Sequence, residues 1–162
     1  MGRPWYDVAF ICLNGHVITD SLKSFPEKYA KFCTKCGEKT TSKCESCNAD
    51  IRGYYNTPGV IAIYTPELPL FCWNCGEPYP WTSRKIDALN RLVEQLKRLD
   101  EREKEELRKS IDELVRESST WRQAAHGLKR LAKKISDEEW KPIRDILVEI
   151  ISTAIKSELG LS

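Results

Sequence analysis

Cysteine and histidine are the residues of this 162-residue chain with the most distinctive chemistry, since it has seven cysteines and only two histidines. Six cysteines form three pairs in which two residues separate the partners, and Cys12 is followed four positions later by His16. A Cys-x-x-Cys pair can wrap a tight knuckle whose two thiolates face one metal ion. The three pairs are Cys33 with Cys36, Cys44 with Cys47, and Cys72 with Cys75.

Eight ligands of these types are the number that two tetrahedral zinc sites require. Gly37 and Gly76 directly follow two of the pairs, where a glycine relieves the backbone turn. An odd number of cysteines in close pairs suits disulfides poorly, and we expect a reducing cytoplasm. The sequence therefore predicts two Zn²⁺ ions with a structural role.

The spacing leaves the pairing of the four knuckles open. We favour neighbours pairing with neighbours, which gives one site from Cys12, His16, Cys33 and Cys36, and a second from Cys44, Cys47, Cys72 and Cys75. An interleaved cross-brace of the RING or FYVE kind would instead join the first pair to the third and the second to the fourth. A small nested site made of Cys33, Cys36, Cys44 and Cys47 is a further arrangement.

A sharp change in composition near residue 82 predicts two domains, 1–82 and 83–162. All seven cysteines, 13 of the 15 aromatic residues and seven of the eight prolines precede it. Short apolar runs at residues 8–13 and 60–64 lie between glycine and proline turns, which is typical of short strands. The expected fold class is α+β, with a small β-rich double zinc ribbon followed by an all-α hairpin or bundle.

Apolar residues at spacings of three and four predict helices at about 84–117, 120–135 and 138–159. Asp100 with Glu103 has the pattern of a capping box, but residues 100–110 contain no glycine or proline, so one continuous first helix is slightly favoured over two. Ser136 with Glu139 is a second capping pattern. Pro142 is expected to kink the last helix or to delay its first turn.

The knuckle sequences resemble an uncharacterised bacterial family of zinc-ribbon proteins, a domain of unknown function. The resemblance is close over residues 5–82 and loose over the helical half, and it implies a bacterial, cytoplasmic, metal-binding protein without implying an activity. The segments that carry it are Cys12-Leu-Asn-Gly-His16, Phe32-Cys-Thr-Lys-Cys-Gly37, Cys44-Glu-Ser-Cys47, Ile51-Arg-Gly-Tyr-Tyr55 and Phe71-Cys-Trp-Asn-Cys-Gly76.

The overall charge does not indicate a general nucleic-acid or membrane binder, because 26 basic residues face 24 acidic ones. One local segment is basic, and we expect its cations either to meet phosphate, an anionic lipid surface or an acidic partner, or to pair with acidic residues 137–139 on a solvated face. Its basic residues are Arg122, Lys129, Arg130, Lys133 and Lys134, with His126 beside them on the surface.

Ribbon aromatics are candidates for base stacking or for the core. They are Trp5, Tyr54, Tyr55, Trp73, Tyr79 and Trp81.

The sequence contains none of the catalytic patterns for which we searched: a glycine-rich phosphate loop, His-Glu-x-x-His, or Gly-x-Ser-x-Gly. No run of residues is apolar enough for a membrane span. We therefore expect a non-enzymatic cytoplasmic adaptor whose zinc sites stiffen a partner-binding surface and whose amphipathic helices mediate association with a protein partner or with a second copy. The alternative is a nucleic-acid-binding protein that uses the basic helix at 122–134 together with the ribbon aromatics.

Overall fold

The computed structural model describes residues 2–61 and 66–161 of the chain. The chain divides into two compact units, Met1–Ser83 and Arg84–Ser162, which we call the ribbon unit and the helical unit. Short strands occupy the first and helices the second, which confirms the α+β fold class. No helix within the described ranges is both long enough and apolar enough to cross a membrane.

The described part of the ribbon unit contains two small antiparallel sheets. One pairs β1 with β5, and Tyr6 lies opposite Tyr55 in its register. The other has the strand order β3-β2-β4. The strands are β1 (Trp5–Val8), β2 (Phe10–Cys12), β3 (Val17–Thr19), β4 (Thr40–Thr41) and β5 (Arg52–Asn56).

The two strands predicted from apolar runs have different outcomes. Residues 8–13 contribute to β1 and β2, with a register irregularity on either side of Ala9. Most of the predicted strand at 60–64 lies outside the described residues, and its first two residues belong to no strand. Over residues 8–13, the strands are therefore shorter than the hydropathy pattern indicates.

A small core joins the strands of the ribbon unit to its cysteines. Ile11, Ile51, Tyr79 and Trp81 are almost fully buried in one cluster with two of the cysteines. The Trp81 indole Nε1 donates a 2.7 Å hydrogen bond to the Pro69 carbonyl, so its one polar group is satisfied despite its burial. The aromatic residues of this core supply the apolar volume that the short strands lack.

Close backbone contact at Gly53 holds β5 against the residues after β3. A Cβ atom at this position would lie 1.9 Å from the Asp20 carbonyl oxygen and 2.8 Å from the Ala9 nitrogen. The Tyr54 N–H also donates to the Asp20 carbonyl at 2.8 Å. Only glycine permits this approach, because both obstacles are backbone atoms.

Asp7 is a buried carboxylate that ties β1 to the turn after β3. Its oxygens accept hydrogen bonds from the backbone N–H groups of Val8, Lys23 and Ser24 at 2.6, 2.8 and 3.2 Å, and from the Ser24 hydroxyl at 2.6 Å. Burial raises the pKa of Asp7, but the Ser24 hydroxyl and the backbone donors outweigh it, and the pKa lies below its ordinary value. The folded chain thus stabilises the charged form of Asp7.

Five helices follow the ribbon strands in the sequence. Helix α1 begins at Pro80, before the boundary between the units, and α2 to α5 lie within the helical unit. Their apolar faces form a core that includes Leu89, Leu107, Leu128, Leu147 and Ile155, all at most 1% exposed. The helices are α1 (Pro80–Glu94), α2 (Glu101–Val115), α3 (Trp121–Ala132), α4 (Asp137–Ile150) and α5 (Thr153–Leu159).

The favoured single helix at 84–117 is wrong, because the chain forms α1 and α2 there. The Asp100 side chain accepts from the Glu103 N–H, and the Glu103 side chain accepts from the Asp100 N–H, so the capping box predicted from the sequence starts α2. The Lys104 ammonium, nearly buried, donates to the carbonyl of Glu94 at the end of α1. Both helix ends are therefore satisfied by side chains, and no glycine or proline is needed for the break.

The predicted helix at 138–159 is also divided into two, α4 and α5. Ile151 is extended and buried, and the Ser152 hydroxyl accepts from the Ile155 N–H, which starts a new helix. The Ser136 capping box predicted from the sequence is present at the start of α4. Helix α4 begins at Asp137 and continues through Pro142, so the proline does not delay its first turn.

Replacing Asp7 with Asn tests its contribution to the ribbon unit. Asn keeps one acceptor oxygen, but its NH₂ group would face the Ser24 N–H, so one partly buried backbone donor loses its acceptor. We expect Asp7→Asn to lower the free energy of unfolding by about 1–3 kcal/mol at pH 7. Denaturant unfolding at a fixed free metal concentration measures this.

The matched control for this substitution is Asp20→Asn. Asp20 is half-buried, and its carboxylate accepts a 2.9 Å hydrogen bond from the Ser21 hydroxyl. Equal losses from the two substitutions would contradict the structural role of the Asp7 carboxylate.

Candidate metal centres

The first centre is formed by Cys12, His16, Cys33 and Cys36. The Cys12 Sγ lies 3.4 Å from the His16 Nδ1 and 3.8 Å from the Cys36 Sγ, and the Cys33 Sγ lies 3.7 Å from the same His16 nitrogen. All four ligand atoms lie within 4.8 Å of one another. They come from the end of β2, the residue before β3 and the knuckle before β4, so the centre joins the three strands of one sheet.

The second centre is formed by Cys44, Cys47, Cys72 and Cys75. The Cys44 and Cys75 sulfurs are 3.7 Å apart, as are those of Cys47 and Cys72, and all four lie within 4.8 Å of one another. Two of these cysteines belong to the buried core cluster that contains Trp81. The second centre is therefore continuous with the apolar core of the ribbon unit.

The structure pairs neighbouring knuckles, as the favoured arrangement predicts, and shows neither the cross-brace nor the nested site. The separations also fit a tetrahedral ion. With metal–sulfur bonds of about 2.3 Å and a metal–nitrogen bond of about 2.0 Å, tetrahedral geometry places sulfurs about 3.8 Å apart and sulfur about 3.5 Å from nitrogen. The observed 3.7–3.8 Å and 3.4–3.7 Å agree with these values. Both clusters can therefore hold a metal ion.

The three Cys-x-x-Cys knuckles share one backbone pattern. In each, the first cysteine donates its N–H to the carbonyl five residues later and accepts at its own carbonyl from the residue after the second cysteine. That last residue has positive φ in every case: 72° at Gly37, 59° at Asn48 and 76° at Gly76. An isolated bridge between flanking residues closes each knuckle, for example between Phe32 and Lys39. The knuckle geometry is thus local and repeated.

Cys12 and His16 are joined by a turn that is one residue longer and also brings both ligands to one site. The Gly15 N–H donates to the Cys12 carbonyl at 2.8 Å, with Gly15 at a φ of 88°. The His16 backbone N–H also donates to the Cys12 sulfur at 3.2 Å. The extra residue therefore accommodates the imidazole while the backbone still turns sharply.

Two asparagine side chains assist the centres, one in each. The Asn14 amide lies 3.6 Å from the Cys36 sulfur, and the Asn74 amide lies 3.5 Å from the Cys47 sulfur. Such donors stabilise the thiolate form and orient the ligand. Sequence analysis missed both roles, although each asparagine lies between the two ligands of its own knuckle, which is the position that could have indicated them.

The folded chain lowers the pKa of one thiol in the first centre and of two, Cys47 and Cys72, in the second. Burial raises the pKa of Cys33, but backbone N–H groups of Lys35 and Cys36 and the neighbouring thiols outweigh it and lower the pKa to about 6. In the second centre, burial likewise raises the pKa of Cys72, while backbone donors at Cys75 and Asn74 and the adjacent sulfurs lower it to about 6. Each centre thus has a thiolate near neutral pH, which is the form that binds metal.

The basic residues of α3 are mostly engaged with acids. Lys129 lies 3.5 Å from Glu158, and Arg122 stacks on its neighbour Trp121. Two further ion pairs join α3, or the residues just after it, to α2, and these are Arg130 with Glu106 and Lys134 with Glu103. The acids come from α2 and α5, so the expected pairing with residues 137–139 is not what the structure shows for these cations.

Five of the six candidate stacking aromatics divide into two groups, and the sixth, Tyr54, is half-buried. Tyr79 and Trp81 are 1% exposed and stack on each other with centroids 4.9 Å apart, so they serve the core. Trp5, Tyr55 and Trp73 are 42–50% exposed. The two interpretations of these aromatics therefore hold for different residues.

The family comparison covers both units. Residues 5–159 match the model of a family described as "Uncharacterized protein conserved in bacteria" and designated DUF2321. The chain belongs to this family. The match extends through the helical unit, where the sequence resemblance is only loose. No curated protein and no solved structure matches the chain.

Asn48 tests the knuckle geometry, because it holds the positive-φ position that glycine holds in the other two Cys-x-x-Cys knuckles. We expect Asn48→Gly to be nearly neutral. Asn48→Val should lower the stability of the metal-bound form by about 1–2 kcal/mol, since a β-branched side chain is strained at positive φ. Competition with a chromophoric chelator, together with denaturant unfolding, measures the loss.

Ser46→Val, at an exposed position of the same knuckle, is the control for the change in side chain alone. A loss at Ser46 as large as that at Asn48 would show that backbone strain is not the cause.

Proposed function

We propose that this protein is a non-enzymatic, cytoplasmic zinc-ribbon interaction module in which two structural Zn²⁺ ions stiffen a partner-binding surface. The ligand sets support zinc, because three thiolates with one imidazole and four thiolates are typical of structural zinc sites. A sulfur tetrahedron also suits iron, so elemental analysis decides between the two metals at the second centre. The argument for a reducing cytoplasm is that all seven cysteines are grouped as metal ligands and none is in a disulfide.

The structural role of the ions follows from the number of ligands. Each centre offers four protein side chains, so a tetrahedral ion there has no open position for water or substrate. The ligands join segments that are far apart in the sequence, and the short strands bury little apolar surface by themselves. In small zinc modules, metal binding supplies about 10–16 kcal/mol of apparent free energy at pH 7. Metal binding and folding of the ribbon unit are then one event.

The interaction role is carried by one observation, the distribution of exposed apolar side chains. Among the described residues, the large hydrophobic side chains that stand exposed all belong to the ribbon unit. A contiguous exposed apolar patch marks a binding site, and ring contacts join Tyr6, Tyr55 and Trp73 through Arg52. The exposed side chains are Trp5, Tyr6, Phe25, Tyr29, Phe32, Tyr55, Val60, Ile61 and Trp73.

The amphipathic helices give less support to association than their sequence suggests. The apolar stripe from α1 to α2 is buried within the helical unit, including Leu89, Val93, Ile111 and Val115. A second chain is therefore not needed to cover it. Association through the helices stays a prediction, and the proposed partner surface lies on the ribbon unit.

Nucleic-acid binding through the basic helix is the weaker candidate. Lys129, Arg130 and Lys134 already pair with acids, and each pair would have to open or share its charge before a phosphate could bind. Exposed ion pairs are weak, so the cost per contact is only about 0–1 kcal/mol, but the local field is reduced as well. Nucleic-acid binding through these five basic residues, which include Arg122 and Lys133, stays a prediction.

Affinity purification from a bacterium that carries the protein tests the interaction role. The tagged wild-type chain should recover a specific protein partner, and a Cys47→Ser, Cys72→Ser variant should lose it, because the second centre no longer holds its knuckles. Recovery of nucleic acid in place of protein would contradict the proposal. So would a strictly monomeric protein in light scattering that recovers no partner.

Metal removal provides a separate prediction about the ribbon unit. Purified protein should contain two zinc ions per chain, measured by elemental analysis. A strong chelator should abolish most of the near-ultraviolet circular dichroism, since Tyr79 and Trp81 pack beside the second centre, while the far-ultraviolet helical signal largely remains. Added Zn²⁺ should restore the near-ultraviolet signal.

An unchanged near-ultraviolet spectrum in a chelated protein that is shown to be metal-free would contradict the structural role. Retention of iron instead of zinc would contradict the metal assignment alone.

A further inference from the structure

A continuous stack of aromatic and guanidinium groups crosses the exposed surface of the β1–β5 sheet. The rings of Tyr55 and Tyr6 have centroids 4.6 Å apart. The Arg52 guanidinium carbon lies 4.6 Å from the centre of the Tyr6 ring and 3.9 Å from that of Trp73. We call these four residues, Tyr6, Arg52, Tyr55 and Trp73, the arginine–aromatic face.

The face is exposed in spite of its internal contacts. Tyr6, Tyr55 and Trp73 are 44%, 49% and 50% exposed, and Arg52 is also exposed. Among the described residues, no carboxylate forms an ion pair with Arg52. Its guanidinium is therefore held between two rings with its charge uncompensated by an acid, and its N–H groups remain able to bind a carboxylate in two contacts.

The second metal centre holds this face rigid. Trp73 lies inside the knuckle between Cys72 and Cys75, and its indole Nε1 donates a 2.9 Å hydrogen bond to the Asp50 carbonyl. The orientation of the indole is thus set before any partner arrives. A preorganised surface loses less conformational entropy on binding than a mobile one.

The charges around Trp73 decide which class of partner fits. Lys23 and Lys43 both pair with Asp50, at 3.2 and 3.1 Å, and Arg52 adds a third positive charge. On the proposed function, a divalent ion held by four thiolates contributes two negative charges at the adjacent centre. Three positive charges then face three negative ones. A polyanion such as single-stranded nucleic acid finds no net attraction here.

The composition of the face fits a protein partner. Tyrosine, tryptophan and arginine are the residue types that carry most of the binding energy at protein interfaces. A single carboxylate is enough to satisfy Arg52, whereas the flat rings offer apolar contact on either side of it. This combination favours an extended peptide segment over a highly charged ligand.

We propose that the arginine–aromatic face binds an extended segment of a partner protein in which an Asp or Glu side chain pairs with Arg52 and flanking apolar side chains lie on Tyr6, Tyr55 and Trp73. The inference rests on the proposed function, since the ion at the second centre fixes both the indole and the local charge. The inference specifies the chemistry of the partner of the ribbon surface: an acidic residue flanked by apolar ones.

A displayed library of random 12-residue peptides, selected on the metal-loaded full-length protein, tests this chemistry. Selected peptides should share an acidic residue with apolar neighbours. Arg52→Gln and Tyr55→Ala should each weaken their binding about tenfold, measured by calorimetry. Neither residue is a metal ligand, and the zinc content of each variant is measured alongside.

Lys28→Gln is the matched control, because Lys28 also places a cation 4.7 Å from an exposed ring, that of Phe25, outside the face. It should leave peptide binding unchanged. On the peptide side, changing the acidic residue to its amide should weaken binding to the wild-type protein and remove the difference between the wild type and Arg52→Gln. This arm needs no change in the protein and therefore does not depend on how the variants fold.

Three results would overturn the inference: no peptide is selected, the selected peptides bind Arg52→Gln as tightly as the wild type, or they lack acidic residues. Fluorescent dT20 and rU20 oligonucleotides form the competing arm. Tight, Arg52-dependent and salt-sensitive binding of either would assign the face to nucleic acid instead. Failure in a protein that carries two zinc ions rejects only the partner chemistry, whereas failure of the metal and partner-recovery experiments rejects the proposed function itself.

Discussion

The ribbon unit depends on the convergence of eight side chains into two groups of four. Within each group, the ligand atoms lie as little as 3.4–3.8 Å apart. Ionised sulfurs repel one another at this distance, so a cation is what makes the arrangement favourable once the thiols lose their protons. Backbone N–H groups and the side-chain amides of Asn14 and Asn74 also donate to these sulfurs and stabilise their negative charge. The two ligand sets are therefore the main constraint on the fold of the ribbon unit.

This constraint reaches the surface of the unit. The second centre is packed against Tyr79 and Trp81 on its buried side, and its knuckle presents Trp73 on the exposed side. One group of cysteines therefore organises both a core and a face. On the proposed function, the charge of a metal-bound thiolate centre offsets the neighbouring lysines. The proposed partner surface is then rich in aromatic rings without being strongly basic.

In the helical unit, neighbouring residues fix the helix starts, whereas the end of α1 depends on a side chain ten residues later. The capping patterns at Asp100 and Ser136 are visible in the sequence and form as predicted. The end of α1 is not visible there, because the Glu94 carbonyl is satisfied by the ammonium of Lys104, ten residues later. The break at Ile151 is similar, since it depends on burying that side chain while Ser152 starts α5. Periodicity alone continues through both breaks.

Residue type and spacing were sufficient to predict the α+β class, the four ligand pairs and two helix starts, because knuckles and capping boxes are made by residues within a few positions of one another. The order in which the pairs combine needed the tertiary structure, since the spacing allows more than one closed arrangement.

The tertiary structure also decides which aromatic residues of the ribbon unit lie in the core and which lie on the surface. Tyr79 and Trp81 are buried because they pack in one apolar cluster with cysteines of the second centre. Trp73 and Tyr55 became surface because Arg52, and not the core, lies between Trp73 and the Tyr6–Tyr55 pair. Contacts between residues distant in sequence made that choice, and no local pattern contains them.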